Sequence, residues 1–170
     1  MVRPLRLLIA LDKFKGTLAG SEACEAVAGG FRDALGESKV EIRMLPVADG
    51  GEGLVKALCA ETVSTTATDP LGRIVPAVYG LMNGGKTAVI EMAEASGLWR
   101  LAPQERDPWR ASTRGTGELI RHATEAGVEK ILLGIGGSAT NDGGVGAAEA
   151  LGMRFFDATG TTVLNLPANL

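Results

Sequence analysis

The sequence predicts an α/β protein in which a parallel sheet with crossover helices is joined to a smaller, antiparallel β-meander. Three observations carry this reading. Apolar runs alternate with helical segments in β-α-β-α order over residues 5–60, three β-branched segments joined by turn-length connections follow between residues 62 and 92, and helix and strand alternate again from residue 112. Alternation argues for parallel strands with crossover helices, whereas strands joined by short turns cannot be parallel neighbours.

Residues 5–11 form an apolar run bounded by charge, the pattern of a strand buried on both faces. Over residues 20–35, Ala23, Val27, Phe31 and Leu35 recur at helical spacing and stop at Gly36, which predicts an amphipathic helix. Residues 40–45 are a second strand ended by Pro46, and residues 54–60 a second helix. The β-branched segments 62–68, 74–81 and 87–92 are separated by Asp69-Pro70-Leu71-Gly72 and Asn83-Gly84-Gly85, both turn sequences. After a polar, proline-containing stretch at 99–111, Ser112 and Thr113 with Gly117-Glu118 open a helix to about Ala126. A strand at 130–135, a helix at 144–151 and a hairpin at 153–164 around Asp157-Ala158-Thr159-Gly160 complete the order.

With 170 residues, 45% of them hydrophobic and 22% charged, the chain can build one domain with a real core or two small lobes. Its 24 glycines cluster at the ends of apolar runs without a period, which excludes collagen-like and linker readings and marks them as loop chemistry. A net charge of −3 and the absence of a dense Lys/Arg patch argue against nucleic acid as a partner. The first apolar run is cut short by Asp12-Lys13, against a signal peptide, and no run approaches the roughly 20 apolar residues of a membrane span, so a cytoplasmic location is expected. Cys24 and Cys59, each in a helical segment, read as buried, reduced thiols without chemistry.

Three polar, glycine-rich loops fall at the carboxyl ends of expected parallel strands: Asp12-Lys13-Phe14-Lys15-Gly16-Thr17, Ala48-Asp49-Gly50-Gly51-Glu52-Gly53, and residues 136–144. If those strands share one sheet, the loops meet on one edge, where ligands of open α/β folds bind. Glycine lets backbone N–H groups converge on an anion, and a helix N-terminus adds partial positive charge. Lys13 and Lys15 could neutralise phosphate or carboxylate, while Asp49, Glu52 and Asp142 could hold Mg²⁺ or accept a hydroxyl proton.

Two motif matches compete with this reading. Gly80-Leu81-Met82-Asn83-Gly84-Gly85-Lys86-Thr87 fits the P-loop pattern, but that motif must open a helix, and residues 88–92 read as a strand, so a hairpin turn is the better account. Gly134, Gly136 and Ala139 fit a dinucleotide fingerprint, with Asp157 placed for a ribose contact. That alternative, a nicotinamide-dependent oxidoreductase, requires a tight loop and a helix starting near Ser138; Gly143 and Gly144 argue against it. His122 reads as a surface or half-buried residue with Glu118 one helical turn away, Trp99 and Trp109 as anchors of the polar connection, and Glu91 and Glu94 as solvated surface.

Taken together, "DKFKGTL" at 12–18, "PVADGGEG" at 46–53, "DPLGR" at 69–73, "AVIEMAEASGL" at 88–98, "STRGTGEL" at 112–119 and "GIGGSATNDGG" at 134–144 resemble successive blocks of the type I glycerate kinases. The resemblance implies phosphoryl transfer from ATP to a hydroxyl of glycerate, with 2-phosphoglycerate favoured over 3-phosphoglycerate. It implies a Rossmann-like, three-layer domain with a parallel sheet and a smaller, mixed α/β lobe, divided here as 1–61, 62–111 and 112–170, the middle segment being the β-rich insertion. Members of the family are considerably longer, so the chain reads as an N-terminal half, and an inactive fragment that binds ligand without turnover is a third reading. Ala19 stands where the family tends to have a Ser or Thr helix cap, a loss of about 1 kcal/mol unless Ser21 caps instead. The implied partners are glycerate and ATP with Mg²⁺, no nucleic acid and no membrane, and a homodimer is left open.

Mapped onto this sequence, the catalytic candidates are Asp49, Asp142 and Lys15, with Asp49 and Asp142 also the metal candidates. Lys13, Gly16, Gly50, Gly51 and Glu52 join them at the first two loops. Gly136, Gly137, Ser138, Thr140 and Asn141 form an anion cradle, and Arg114 is a candidate for the substrate carboxylate.

Overall fold

The computed structural model describes residues 3–14, 16–163 and 167. The chain divides into two compact units, Met1–Asp49 and Gly50–Leu170.

In the first unit, β1 (Leu5–Ile9) and β2 (Val40–Met44) pair in parallel, Leu5 opposite Val40 and Ile9 opposite Met44, with α1 (Gly20–Leu35) between them in sequence. Ile9, Cys24 and Ala28 are buried, with Leu7, Leu11, Ile42 and Met44 packed against them. The helix therefore covers the face carrying alternate residues of each strand. Leu8 points to the other face and is 59% exposed, which corrects the expectation of a strand buried on both sides. The buried side of α1 also differs from the expected stripe. Ala23, Cys24 and Ala28 lie inward, while Val27 and Leu35 remain exposed, because small side chains allow the helix to approach the sheet closely. Ala19 at the N-cap has no side-chain acceptor, and it is Glu22, not Ser21, that compensates: its Oε2 accepts the Ala19 N–H at 2.8 Å. Gly36, at φ 85°, ends the helix.

The second unit is built on a four-stranded sheet in the order β3 (Glu61–Thr68), β4 (Ile74–Met82), β5 (Thr87–Glu91), β6 (Lys130–Gly134). The first three strands form the expected antiparallel meander, and β6 pairs in parallel with β5, Thr87 opposite Lys130 and Glu91 opposite Gly134. Strand β6 thus pairs within the meander's sheet and not with the two-stranded sheet of β1 and β2, so the condition that those strands share one sheet is not met. The physical reason is that β5 offers an unpaired edge beyond β4, and the segment between β5 and β6 is long enough for the helical crossover that a parallel pair needs. At the P-loop match, Asn83, Gly84 and Gly85 all have positive φ and Thr87 begins a strand, so this is a hairpin turn.

Helix α2 (Leu54–Leu58) precedes the sheet, α3 (Met92–Ser96) and α4 (Arg114–Glu125) lie between β5 and β6, and α5 (Val145–Ala150) follows β6. The core consists of Ala67, Ala77, Tyr79, Ala88 and Ile90 from the sheet, Ala95 from α3, and Leu119 and Ala123 from α4. Tyr79 is fully buried; its hydroxyl lies 3.1 Å from His122 Nδ1, so His122 serves as the polar partner of a core tyrosine. Helices α4 and α5 meet so closely that a Cβ on Gly117 would run into the backbone of Ala147, and α4 lies so close to the end of β3 that one on Gly115 would run into the Thr68 carbonyl. Residues 153–163 form a minimal hairpin with one antiparallel bridge, Phe156 to Thr162; the expected end at 164 lies outside the described residues. Among the described residues no helix is long and apolar enough to cross a membrane.

Two glycine substitutions should move stability in opposite directions. Gly117→Ala, forced against Ala147, should lower the unfolding free energy by about 1–3 kcal/mol. Gly30→Ala, in α1 with no atom within 4 Å of the new methyl, should raise it by roughly 0.5–1 kcal/mol. Urea denaturation followed by circular dichroism reads both, and a neutral Gly117→Ala would mean that α4 and α5 are not locked together.

Candidate functional site

The loop after β6 is held at both ends by backbone contact. The Gly136 N–H donates to the Gly50 carbonyl at 2.9 Å, and a Cβ on Gly136 would lie 2.7 Å from Gly51 Cα, so only glycine allows the two loops to touch here. Farther on, Leu98 N–H donates to the Gly137 carbonyl and Ala139 N–H to the Ser96 carbonyl, each at 2.9 Å. The loop is thereby stitched in antiparallel fashion to residues 96–98. The side chains above it are hydroxylic: Ser138 Oγ accepts the Thr140 N–H at 3.0 Å and lies 2.7 Å from Thr140 Oγ1. The N–H groups of Gly137 and Ser138 have no acceptor among the described residues, whereas that of Gly136 is already used. Asn141 is exposed beside them.

Asp142 ends this stretch in a different environment. It is 2% exposed, and its Oδ2 accepts hydrogen bonds from Thr113 N–H and Thr113 Oγ1, both at 2.8 Å, and from Gly146 N–H at 3.2 Å. Oδ1 accepts the Gly144 N–H at 3.0 Å. Thr113 Oγ1 in turn accepts the Ala147 N–H at 3.0 Å. The carboxylate therefore ties the starts of α4 and α5 together and is filled by four donors. Because α5 begins at Val145 and not near Ser138, the dinucleotide geometry does not form. Asp157, its expected ribose contact, instead closes its own turn by accepting from Thr159 and Thr161; the Thr159 hydroxyl in particular holds its carboxyl below the usual range.

The second loop is positioned by a residue that sequence reading assigned to solvent. Glu91, at the end of β5 and only 8% exposed, accepts the N–H groups of Gly53 and Val55 on one oxygen, at 3.0 and 2.7 Å. It caps α2 from across the fold, as a carboxylate at a helix N-terminus should. The signal available was an acid directly after the apolar run Ala88-Val89-Ile90, in a strand read as buried. Gly50 and Gly53 have φ of 91° and 98°, a conformation that favours glycine. Glu52 reaches the other loop: its Oε1 lies 3.0 Å from where a Gly137 Cβ would stand.

In the first unit, Lys13 Nζ lies 3.4 Å from Asp49 Oδ1, bringing together two of the expected residues. A tight turn follows Lys13, with Thr17 N–H and hydroxyl both donating to the Phe14 carbonyl and Gly16 at φ 74°. Lys15 lies outside the described residues. Arg114 is held by two carboxylates, Glu149 at 2.8 Å and Glu118 at 3.3 Å, which makes it a link between α4 and α5.

Beside the loop after β6, Trp99 donates its indole N–H to the Ala93 carbonyl at 2.8 Å, and the Arg100 guanidinium stacks 4.1 Å from the indole centroid. Arg100 also donates to the Glu94 and Pro76 carbonyls. Glu94 is not solvated surface: burial pushes its carboxyl above the usual range, against the opposing pull of Arg100. Trp109, expected to anchor the connection, is 76% exposed and does not. Burial, then the nearby Glu91 charge, raises the Cys59 thiol, which keeps it protonated and inert. Among the described residues no group of three or more His, Cys, Asp or Glu is arranged to hold a metal, and the Asp142 oxygens are filled by N–H and O–H donors.

A family model described as "Glycerate kinase family" matches residues 7–170. The chain is 47% identical over 163 residues to a glycerate kinase of Bacillus subtilis, covering 94% of this chain and 42% of that protein. It is 45% identical, with the same coverage, to a glycerate 2-kinase of Escherichia coli. A crystal structure of a Salmonella typhimurium LT2 chain assigned as glycerate kinase 2 superposes with a TM-score of 0.75 at 46% identity, covering 95% of this chain and 44% of that one. The chain thus spans less than half the length of these relatives.

Asp142→Asn should destabilise the protein with no ligand present, because the amide nitrogen cannot accept from the donors that face it. A loss of about 2–3 kcal/mol in urea denaturation is expected. Unchanged stability would mean that the carboxylate is not what joins the two helix starts.

Proposed function

This chain belongs to the glycerate kinase family, and from that premise we propose that the whole protein transfers the γ-phosphoryl group of ATP to a hydroxyl of glycerate, favouring 2-phosphoglycerate over 3-phosphoglycerate. The observation that carries the site reading is the loop after β6. It is fixed by residues 96–98 and by Asp142, yet among the described residues leaves the N–H groups of Gly137 and Ser138 without acceptors beside two hydroxyls. Preorganised donors of this kind stabilise phosphoryl charge without reorganisation. We assign them, with Asn141, to the nucleotide phosphates.

On the first unit, Lys13 is assigned to the anionic end of glycerate and Asp49 to the proton of its attacking hydroxyl. In the transfer, the hydroxyl oxygen bonds to the γ-phosphorus, the bond from that phosphorus to the departing ADP oxygen breaks, and the hydroxyl proton goes to the Asp49 carboxylate. Asp142 acts by positioning the loop, and Arg114 by joining α4 to α5. A second reading, ligand binding without turnover by this chain alone, is favoured by its spanning 42% of the Bacillus subtilis protein.

Phosphorus NMR of the folded chain with ATP, Mg²⁺ and D-glycerate tests both. A phosphoglycerate resonance would identify the hydroxyl, and Asp49→Asn should reduce its rate of formation by about 10²- to 10⁴-fold while leaving stability unchanged. Binding of ATP without product selects the second reading, and absence of both binding and product overturns the site assignment for this chain.

A further inference from the structure

Trp99 combines two properties that rarely occur together: it is 53% exposed, and it is immobilised. Its indole N–H is bound by the Ala93 carbonyl at 2.8 Å, its Cδ1 edge lies 2.8 Å from the position a Gly97 Cβ would take, and the Arg100 guanidinium stacks on the ring at 4.1 Å. Arg100 is fixed in turn by donating to the Glu94 and Pro76 carbonyls. A large aromatic surface therefore faces water with its rotamer already set, so a ligand that covers it need not supply the entropy of ordering it. Trp109 is the contrast. It is more exposed, and its indole N–H makes no hydrogen bond to any described residue.

The position of Trp99 narrows the ligand. Its neighbour Leu98 donates to the Gly137 carbonyl, and Ala93, which holds the indole N–H, has its Cβ 3.2 Å from where a Gly137 Cβ would stand. The indole is thus mounted on the segment that braces the loop assigned to phosphate. Of the two proposed ligands, glycerate has no ring to stack, whereas a nucleotide carries a planar heterocycle joined to its phosphates.

We infer that Trp99 is a stacking platform for the purine base of the nucleotide, backed by Arg100 and set beside the Gly137–Ser138 phosphate loop. The inference rests on the reading of that loop as the phosphate site. Base stacking on an aromatic side chain contributes enough that its removal is measurable.

The chain has two tryptophans, so a Trp109→Phe background leaves Trp99 as the sole indole reporter. ATP and adenosine should each quench its fluorescence, whereas tripolyphosphate should bind with little quenching. By calorimetry, Trp99→Ala, with its fold checked by circular dichroism, should weaken ATP about tenfold and leave tripolyphosphate affinity unchanged, and Trp99→Phe should restore most of the loss. ATP and tripolyphosphate binding that both survive Trp99→Ala undiminished would overturn the stacking role and leave the phosphate loop standing. Equal weakening of both ligands would also overturn it, by showing that Trp99 merely braces the loop. If neither ligand binds the unsubstituted chain, the phosphate reading fails and the platform fails with it.

Discussion

A buried charge that accepts four hydrogen bonds organises the second unit. Removing the Asp142 carboxylate from water costs several kcal/mol on its own, and only charge-assisted bonds from Thr113, Gly144 and Gly146 offset that cost. The same four bonds fix where α4 and α5 begin, and hence how closely the two helices pack. They also determine that the glycine-rich loop is long, since its last residues are committed to Asp142 before α5 can start. A tighter loop would strand this charge among N–H groups it could no longer reach.

Glu91 plays the corresponding role for the second loop. Together the two acids convert glycine-rich segments, which lose more conformational entropy on ordering than other sequences, into fixed structures. Neither acid is presented to solvent, and the loop after β6 itself offers backbone N–H groups and hydroxyls, with the exposed Glu52 carboxylate close to Gly137.

Much of the fold was legible in the sequence. The turn sequences at 69–72 and 83–85 dictated an antiparallel meander, because turn residues and β-branched runs are local signals. The partner of β6 was not legible. The apolar run at 130–134 would suit any parallel neighbour, and the choice of β5 depends on contacts distant in sequence. The exposed face of β1 escaped for a related reason, since an apolar run does not reveal how many layers will cover it. At the site, the glycine-rich loops were singled out from residue type and position, and Lys13 and Asp49 were named separately, but their pairing was not foreseen. The roles of Asp142 and Glu91 were not, because an acid that grips backbone N–H groups and one that meets a ligand have the same letter and much the same neighbours.

The contact between the loops also bears on how a sequence of this kind can change over time. Turn glycines such as those at 84 and 85 have open space where a Cβ would stand, so asparagine or aspartate can replace them at modest strain. Gly134 and Gly136 have no such latitude: a side chain at either would enter the backbone of Gly50 or Gly51 or the Leu54 side chain. Drift at these two positions can succeed only if the opposing loop is rebuilt in the same lineage, so the two loops should be inherited as a pair, with neither exchangeable alone between distant members of the family.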